Sequence, residues 1–276
     1  MPEGDTIYRV AKTLHLALAG RQVTEFRTVL PQLARVDRDT PIAGRSVIEV
    51  ESRGKHLLIH LSGDLILHSH MRMNGSWHIY RPGEKWRRRG DDMRVVIGNR
   101  EWHAIGFSLP VAEFFAASEA ARRRELNELG PDLLAGDFDR EEAMRRFRAR
   151  PGVEIADALL NQHILAGIGN VYKSEILFVC RVSPFRRVAD VSDEEIDRIL
   201  DCARRQLRAN VIEADRMRPA FTRVMRRTTG RSDPAAALWV YGRGGEPCRE
   251  CGGAIATRRQ GPDARSTWWC PRCQDD

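Results

Sequence analysis

Cys248-x2-Cys251 and Cys270-x2-Cys273 stand 18 residues apart near the C-terminal end of the chain, and no other feature limits the local fold so tightly. Two such knuckles at this separation bring four thiolates around one tetrahedral zinc. Four cysteine ligands leave no open coordination position, so one structural Zn2+ is expected rather than a catalytic one. The intervening 254–259 and 266–269 can pair as the two strands of a β-hairpin finger, with Arg265 exposed near its tip. The ligands alone do not name the finger's partner. Cys180 and Cys202 stand apart from the motif, a usage that fits metal binding in a reducing cytoplasm better than a disulfide framework.

Ahead of the finger the chain changes character twice. Ile7, Val10, Ala11, Leu14 and Leu18 recur at helical spacing, with Asp5 or Thr6 as the expected N-cap and Gly20 past the end. Eight short β-branched, aromatic or alternating runs follow, at 22–28, 46–51, 56–61, 65–69, 76–80, 93–97, 101–107 and 111–115, and they predict a sandwich or barrel. From Ala116 the pattern is helical: 119–129 stopped by Gly130-Pro131, then 139–150, 153–162, 170–179 and 193–211, the last capped by Ser192. The expected fold is therefore α+β, an N-terminal helix plus an eight-stranded β-sandwich, followed by a helical domain and a β-hairpin zinc finger. Composition places the domains at 1–135, 136–235 and 236–276.

The net charge of +7 and pI of about 9.4 favour a polyanionic partner. Between 204 and 231 nine arginines face only Glu213 and Asp215, which matches the whole excess (9 − 2 = 7). The positive charge is local and leads into the metal motif. A second basic stretch, 81–90, reads equally as a solvated hairpin tip or a nucleic-acid contact. No apolar run reaches a membrane span, and acidic Glu3 and Asp5 stand where a secretory signal would need a basic and then apolar start. Between two of the helices, 165–170 forms a glycine-bearing turn that delivers backbone N–H groups to a helix start, an arrangement suited to phosphate. At the other end, Pro2 becomes a secondary amine if Met1 is removed. The adjacent helix dipole disfavours its ammonium form, and Glu3 lies one residue away to carry protons. Six residues alone allow the plainer reading, a proline after Met and an acid complementing a helix start.

Taken in order, the motifs resemble the formamidopyrimidine-DNA glycosylase and endonuclease VIII family across essentially the whole chain: Pro2-Glu3-Gly4, Ser52-Arg53-Gly54-Lys55-His56-Leu57-Leu58, His70-Met71-Arg72-Met73-Asn74-Gly75, Leu129-Gly130-Pro131-Asp132, Gly167-Ile168-Gly169-Asn170, Tyr241-Gly242-Arg243, and a finger carrying Arg265-Ser266-Thr267. The Pro-Glu-Gly opening and the finger are more similar to the endonuclease VIII branch. The resemblance implies a helix-two-turn-helix DNA-binding domain and a bifunctional DNA glycosylase and AP lyase of base excision repair, acting on oxidised bases of pyrimidine type. It also implies damaged DNA as partner, a monomer, and a bacterial, cytoplasmic and nucleoid-associated setting.

By that resemblance Pro2 is the nucleophile that attacks C1′ of the flipped nucleotide, Glu3 the proton donor, and Lys55 a phosphate holder that assists catalysis, before β- and δ-elimination. His70, Asn170 and Arg265 match phosphate contacts, and Arg72, Met73 and Asn74 match the wedge that fills the gap left by the flipped base. The chain departs from the pattern at Asp5 and Thr6, where most members carry proline and a second glutamate. The acid's role has moved to Asp5, or a water network held by Thr6 serves, or turnover is weaker. The base-capping segment also differs, with 217–233 rich in arginine. A non-catalytic DNA-damage-binding protein of the same fold is the alternative function.

Overall fold

The computed structural model describes residues 2–211 and 225–275. The expectations for 217–224, and for Arg216, Arg218 and Arg223, lie outside those residues. The chain divides into two compact units, with the break between Glu128 and Leu129.

In the first unit α1 (Gly4–Leu18) is capped by Glu3 rather than by Asp5 or Thr6, and the helix begins earlier than the sequence predicts. The reason is visible in the backbone: the amides of Thr6 and Ile7 already donate to Glu3 O at 2.9 and 3.0 Å. Ile7, Ala11, Leu14 and Leu18 form its buried face. Strands β1 (Glu25–Thr28), β2 (Val47–Arg53), β3 (His56–Leu61), β4 (Leu65–His70), β5 (Ser76–Tyr80), β6 (Met93–Gly98), β7 (His103–Phe107) and β8 (Val111–Ala116) follow, with α2 (Pro31–Asp39) inserted after β1. They make two four-stranded antiparallel sheets, ordered β1-β6-β7-β5 and β2-β3-β4-β8. Leu57, Ile59 and Leu61 of β3 face the main core, where they join α1. Leu58 points the other way, onto a smaller cluster with Ile66, Phe115 and Leu126. That alternation is the period of two expected of a strand covered on both faces. A 3-10 turn at 117–122 and the short α3 (Arg124–Asn127) stand where the sequence suggests one helix.

The second unit contains α4 (Arg140–Arg148), α5 (Ile155–Leu160), α6 (Asn170–Val179), α7 (Asp193–Ala209) and the finger hairpin β9 (Ala256–Gln260) and β10 (Arg265–Trp269). Ser192 caps α7 in a reciprocal capping box with Glu195. Leu129 to Ala135, expected to belong with the first domain, is held here, where Gly130 N donates to Gln162 O at 2.8 Å. A Cβ on Gly130 would lie 2.3 Å from Ile164 O, so only glycine allows that approach. Leu133 then enters the helical core beside Ile164, Leu165 and Tyr172. Among the described residues no helix is long and apolar enough to cross a membrane.

Candidate active site and nucleic-acid interface

At the start of α1 the side chains of Glu3 and Asp5 are both 0% exposed. Asp5 accepts from Arg9, one helical turn on, at 3.3 Å, and from Thr6 Oγ1 at 3.3 Å. Two carboxylates buried within four residues of the amine-bearing end are not what helix solubility requires, and they concentrate proton-accepting oxygens there. Pro2 is half-buried.

Lys55 sits in the tight turn between β2 and β3, where Arg53 pairs with His56 and Gly54 takes φ 57°. Beside it, on the outer face of the β2-β3-β4-β8 sheet, runs a row of polar side chains that sequence patterns alone do not mark as a unit. His56 is paired in register with His70, and their rings meet edge-on at 4.9 Å. Glu113, across β4 on β8, accepts from His68 Nδ1 at 3.1 Å. His68 Nε2 and His56 Nδ1 share a hydrogen bond at 2.8 Å. Burial first, then the neighbouring imidazole of His68, pushes His56 down to about 3. Burial, followed by Lys55, pushes His70 down to about 4. His70 Nδ1 also accepts the Arg72 N–H at 3.1 Å, which fixes the proton on Nε2. His70 is thus a neutral donor at neutral pH.

The next residues form a turn that buries its ends and exposes its middle. Met71 and Gly75 are buried and Gly75 N donates to Met71 O at 2.8 Å, while Arg72, Met73 and Asn74 are exposed, Met73 by 61%. A Cβ at Gly75 would lie 2.6 Å from Met71 O, so this residue must be glycine for the turn to close. Arg72 is held at φ 45°, a left-handed conformation that a non-glycine residue rarely adopts. An exposed methionine on a turn this constrained is a surface feature rather than core. In the basic stretch, Arg81 stacks over Trp102 at 3.5 Å and Arg88 pairs with Asp92 at 3.2 Å, which favours the structural reading for those two.

In the second unit Asn170 opens α6 behind Gly169, and its Nδ2 donates to Ser266 O on β10 at 2.9 Å. Arg265 starts β10 and is pinned by Asp263 at 3.0 Å. Glu175, which no sequence pattern singles out, is fully buried and accepts from the backbone amides of Trp239 (2.7 Å), Val240 (2.8 Å) and Tyr241 (2.8 Å), and from the Thr228 hydroxyl. It fixes the strap that leads into the finger. Cys248, Cys251, Cys270 and Cys273 bring their sulfurs within 4.8 Å of one another. Tetrahedral zinc at ~2.3 Å from each sulfur needs sulfurs about 3.8 Å apart, and the Cys248–Cys273 and Cys251–Cys270 pairs lie at 3.9 and 3.4 Å. The donor set and its span fit a structural zinc. The Gly253 amide holds the Cys251 thiol down at about 7.

Comparison with known proteins follows the same order along the chain. Residues 1–105 match the formamidopyrimidine-DNA glycosylase N-terminal domain, 129–219 its H2TH domain, and 245–275 the zinc finger found in FPG and IleRS. A Streptomyces coelicolor protein named probable endonuclease 8 2 is 41% identical over 99% of this chain and 94% of its own. The chain belongs to the formamidopyrimidine-DNA glycosylase and endonuclease VIII family. A second family member, DNA-(apurinic or apyrimidinic site) lyase Nei2 of Mycolicibacterium smegmatis, is 38% identical over 99% of both chains. Among solved structures, the Lactococcus lactis family enzyme bound to DNA containing an AP site covers 100% of both chains with a TM-score of 0.81 at 20% identity. That likeness shows the family fold.

Proposed function

We propose that the chain is a bifunctional DNA glycosylase and AP lyase of base excision repair that removes oxidised pyrimidines from DNA. The observation that carries this reading is the buried Glu3 carboxylate beside Pro2 at the start of α1, in a chain of this family. Once Met1 is removed, the Pro2 amine attacks C1′. The N–C1′ bond forms as the glycosidic bond breaks, and Glu3 supplies the proton that the departing base takes; the amine then gives up its proton and the C1′–O4′ bond opens with a proton going to O4′, which leaves an iminium at C1′. The resulting iminium is an electron sink: loss of a C2′ proton expels the 3′ phosphate, and a second elimination expels the 5′ phosphate. Asp5, fixed by Arg9 and Thr6, is the second carboxylate available for these proton transfers. The pyrimidine preference rests on the likeness of the Pro2-Glu3-Gly4 opening and the finger to the endonuclease VIII branch.

DNA is held by a division of labour. Lys55 and the Nε2–H of His70 take phosphates next to the lesion, and Asn170 and Arg265 take the flanking backbone. Arg72, Met73 and Asn74 fill the space that the everted base leaves. The zinc folds the finger that carries Arg265, and no step of the reaction passes through it. The protein acts as a monomer on the chromosomal DNA of a bacterial cytoplasm.

The test separates the two activities on defined substrates. Glu3→Gln should lose base removal by two orders of magnitude or more, on the scale of a general acid, while retaining cleavage at a pre-formed abasic site, where no base has to leave. Equal loss of both would refute the assignment of Glu3 as the base's proton donor. A set of duplexes each carrying one oxidised pyrimidine or purine reads the lesion preference in the same assay.

A further inference from the structure

α6 docks on the free edge of the finger hairpin through side chains from successive positions of one helical face. β10 pairs only with β9 among the described strands, so the outer carbonyls of β10 need partners elsewhere. Ser266 O accepts from Asn170 Nδ2 at 2.9 Å and from Lys173 Nζ at 3.3 Å. Lys173 Nζ also donates to Thr267 Oγ1 at 2.6 Å. Thr267 Oγ1 in turn donates to Gln260 Oε1 at 2.7 Å, and Gln260 Nε2 donates to Glu154 Oε2 at 2.6 Å and Pro184 O at 2.9 Å. One hydrogen-bonded chain therefore runs from α6 through both finger strands to the residues beside α5.

Lys173 is 1% exposed. An ammonium taken wholly out of water is costly unless its protons are accepted and a counter-charge is near, and a methionine would fill the same volume without that cost. Here the acceptors include the two finger residues, and Asp157 supplies negative charge. Gly261 lets Asp157 come close, since a Cβ there would lie 2.4 Å from Asp157 Oδ1. The helix that begins at Asn170 and the strand that begins at Arg265 are thus joined at a point chosen by charge rather than by packing.

We propose that Lys173 is a positioning residue for DNA binding, a buried pin that makes Asn170 and Arg265 one rigid phosphate clamp. It rests on the proposed function, in which Asn170 and Arg265 contact the backbone. The test uses zinc-loaded full-length protein and a duplex with a stable abasic analogue for affinity, and an abasic duplex for turnover. Lys173→Met keeps the stem and removes the ammonium, and Thr267→Val removes its acceptor from the other side. Each should weaken affinity by about tenfold, the worth of a charge-assisted hydrogen bond. The loss should appear in the half-saturating DNA concentration, with the rate at saturation retained; mere destabilisation would lower the saturated rate and leave half-saturation unmoved. In an Arg265→Ala background, Lys173→Met should cost less than about twofold, because with one jaw gone there is no clamp for the pin to hold rigid. Full additivity there, or wild-type affinity for both Lys173→Met and Thr267→Val, would overturn the pin. Wild-type affinity for Arg265→Ala would instead overturn the clamp reading beneath it.

Discussion

His70 and Arg265, both proposed as phosphate contacts, differ in charge, and the difference is measurable. His70 is neutral, with its proton fixed on Nε2 by the Arg72 amide, whereas Arg265 is a permanent cation at the hairpin tip. Arg265→Ala should weaken binding to damaged and undamaged duplex alike and reduce the magnitude of the salt slope by about 0.9. His70→Ala should weaken binding with the slope intact, because it displaces no counterion. A slope that falls in both variants would mean that His70 binds as imidazolium. At this scale the sequence was legible where a residue type is chemically irreplaceable: the four cysteines, Gly75 under Met71, Met73 on its turn. It was silent on Lys173 and Glu175, because a buried charge in a helix shows no periodic signal and its partners lie far along the chain.

Elements carry the next level of explanation. Glu175 of α6 satisfies three consecutive backbone amides of the strap before the finger, so Glu175→Ala leaves buried donors without an acceptor. A loss of roughly 3 kcal/mol is expected, read as a lower urea midpoint and a more protease-sensitive finger. The histidine row on the outer sheet face sets an acid limit to stability. His56 and His70 are depressed to about 3 and about 4 from an ordinary 6.5, so between those values the unfolded chain binds protons that the native one refuses. Stability is full above pH 6.5 and falls as the pH drops toward 4. The slope is at most about 1.4 kcal/mol per pH unit for His56, and smaller for His70, which water partly screens. His56→Gln should flatten that slope between pH 6.5 and 4.5, and an unchanged slope would remove His56 from the account. Alternation marks the strands in the sequence, whereas α2 leaves no periodic apolar signal because Leu33 is its one buried residue. The first helix starts early because Glu3 O, not a side chain, accepts its first amides.

At the scale of the whole molecule, the order of short motifs carried more information than any one of them, since each is separately compatible with an ordinary turn, hairpin or ribbon. What the sequence could not convey was which distant strands and helices meet, as in the Glu113–His68–His56 row or the finger edge on α6. Chelation of the zinc should release the Cys248–Cys273 finger and lower DNA affinity, while leaving the amine at residue 2 able to trap an abasic aldehyde at high DNA concentration. A chelated protein with unchanged affinity would show that the finger does not hold DNA. Every proposed step begins with the Pro2 amine as nucleophile, and mapping the borohydride-trapped adduct with abasic DNA locates that amine. One covalent adduct is expected, located at residue 2 of protein lacking Met1 and abolished when an unprocessed N-terminal extension turns the amine into an amide. An adduct at Lys55, or full activity in the extended protein, would contradict it.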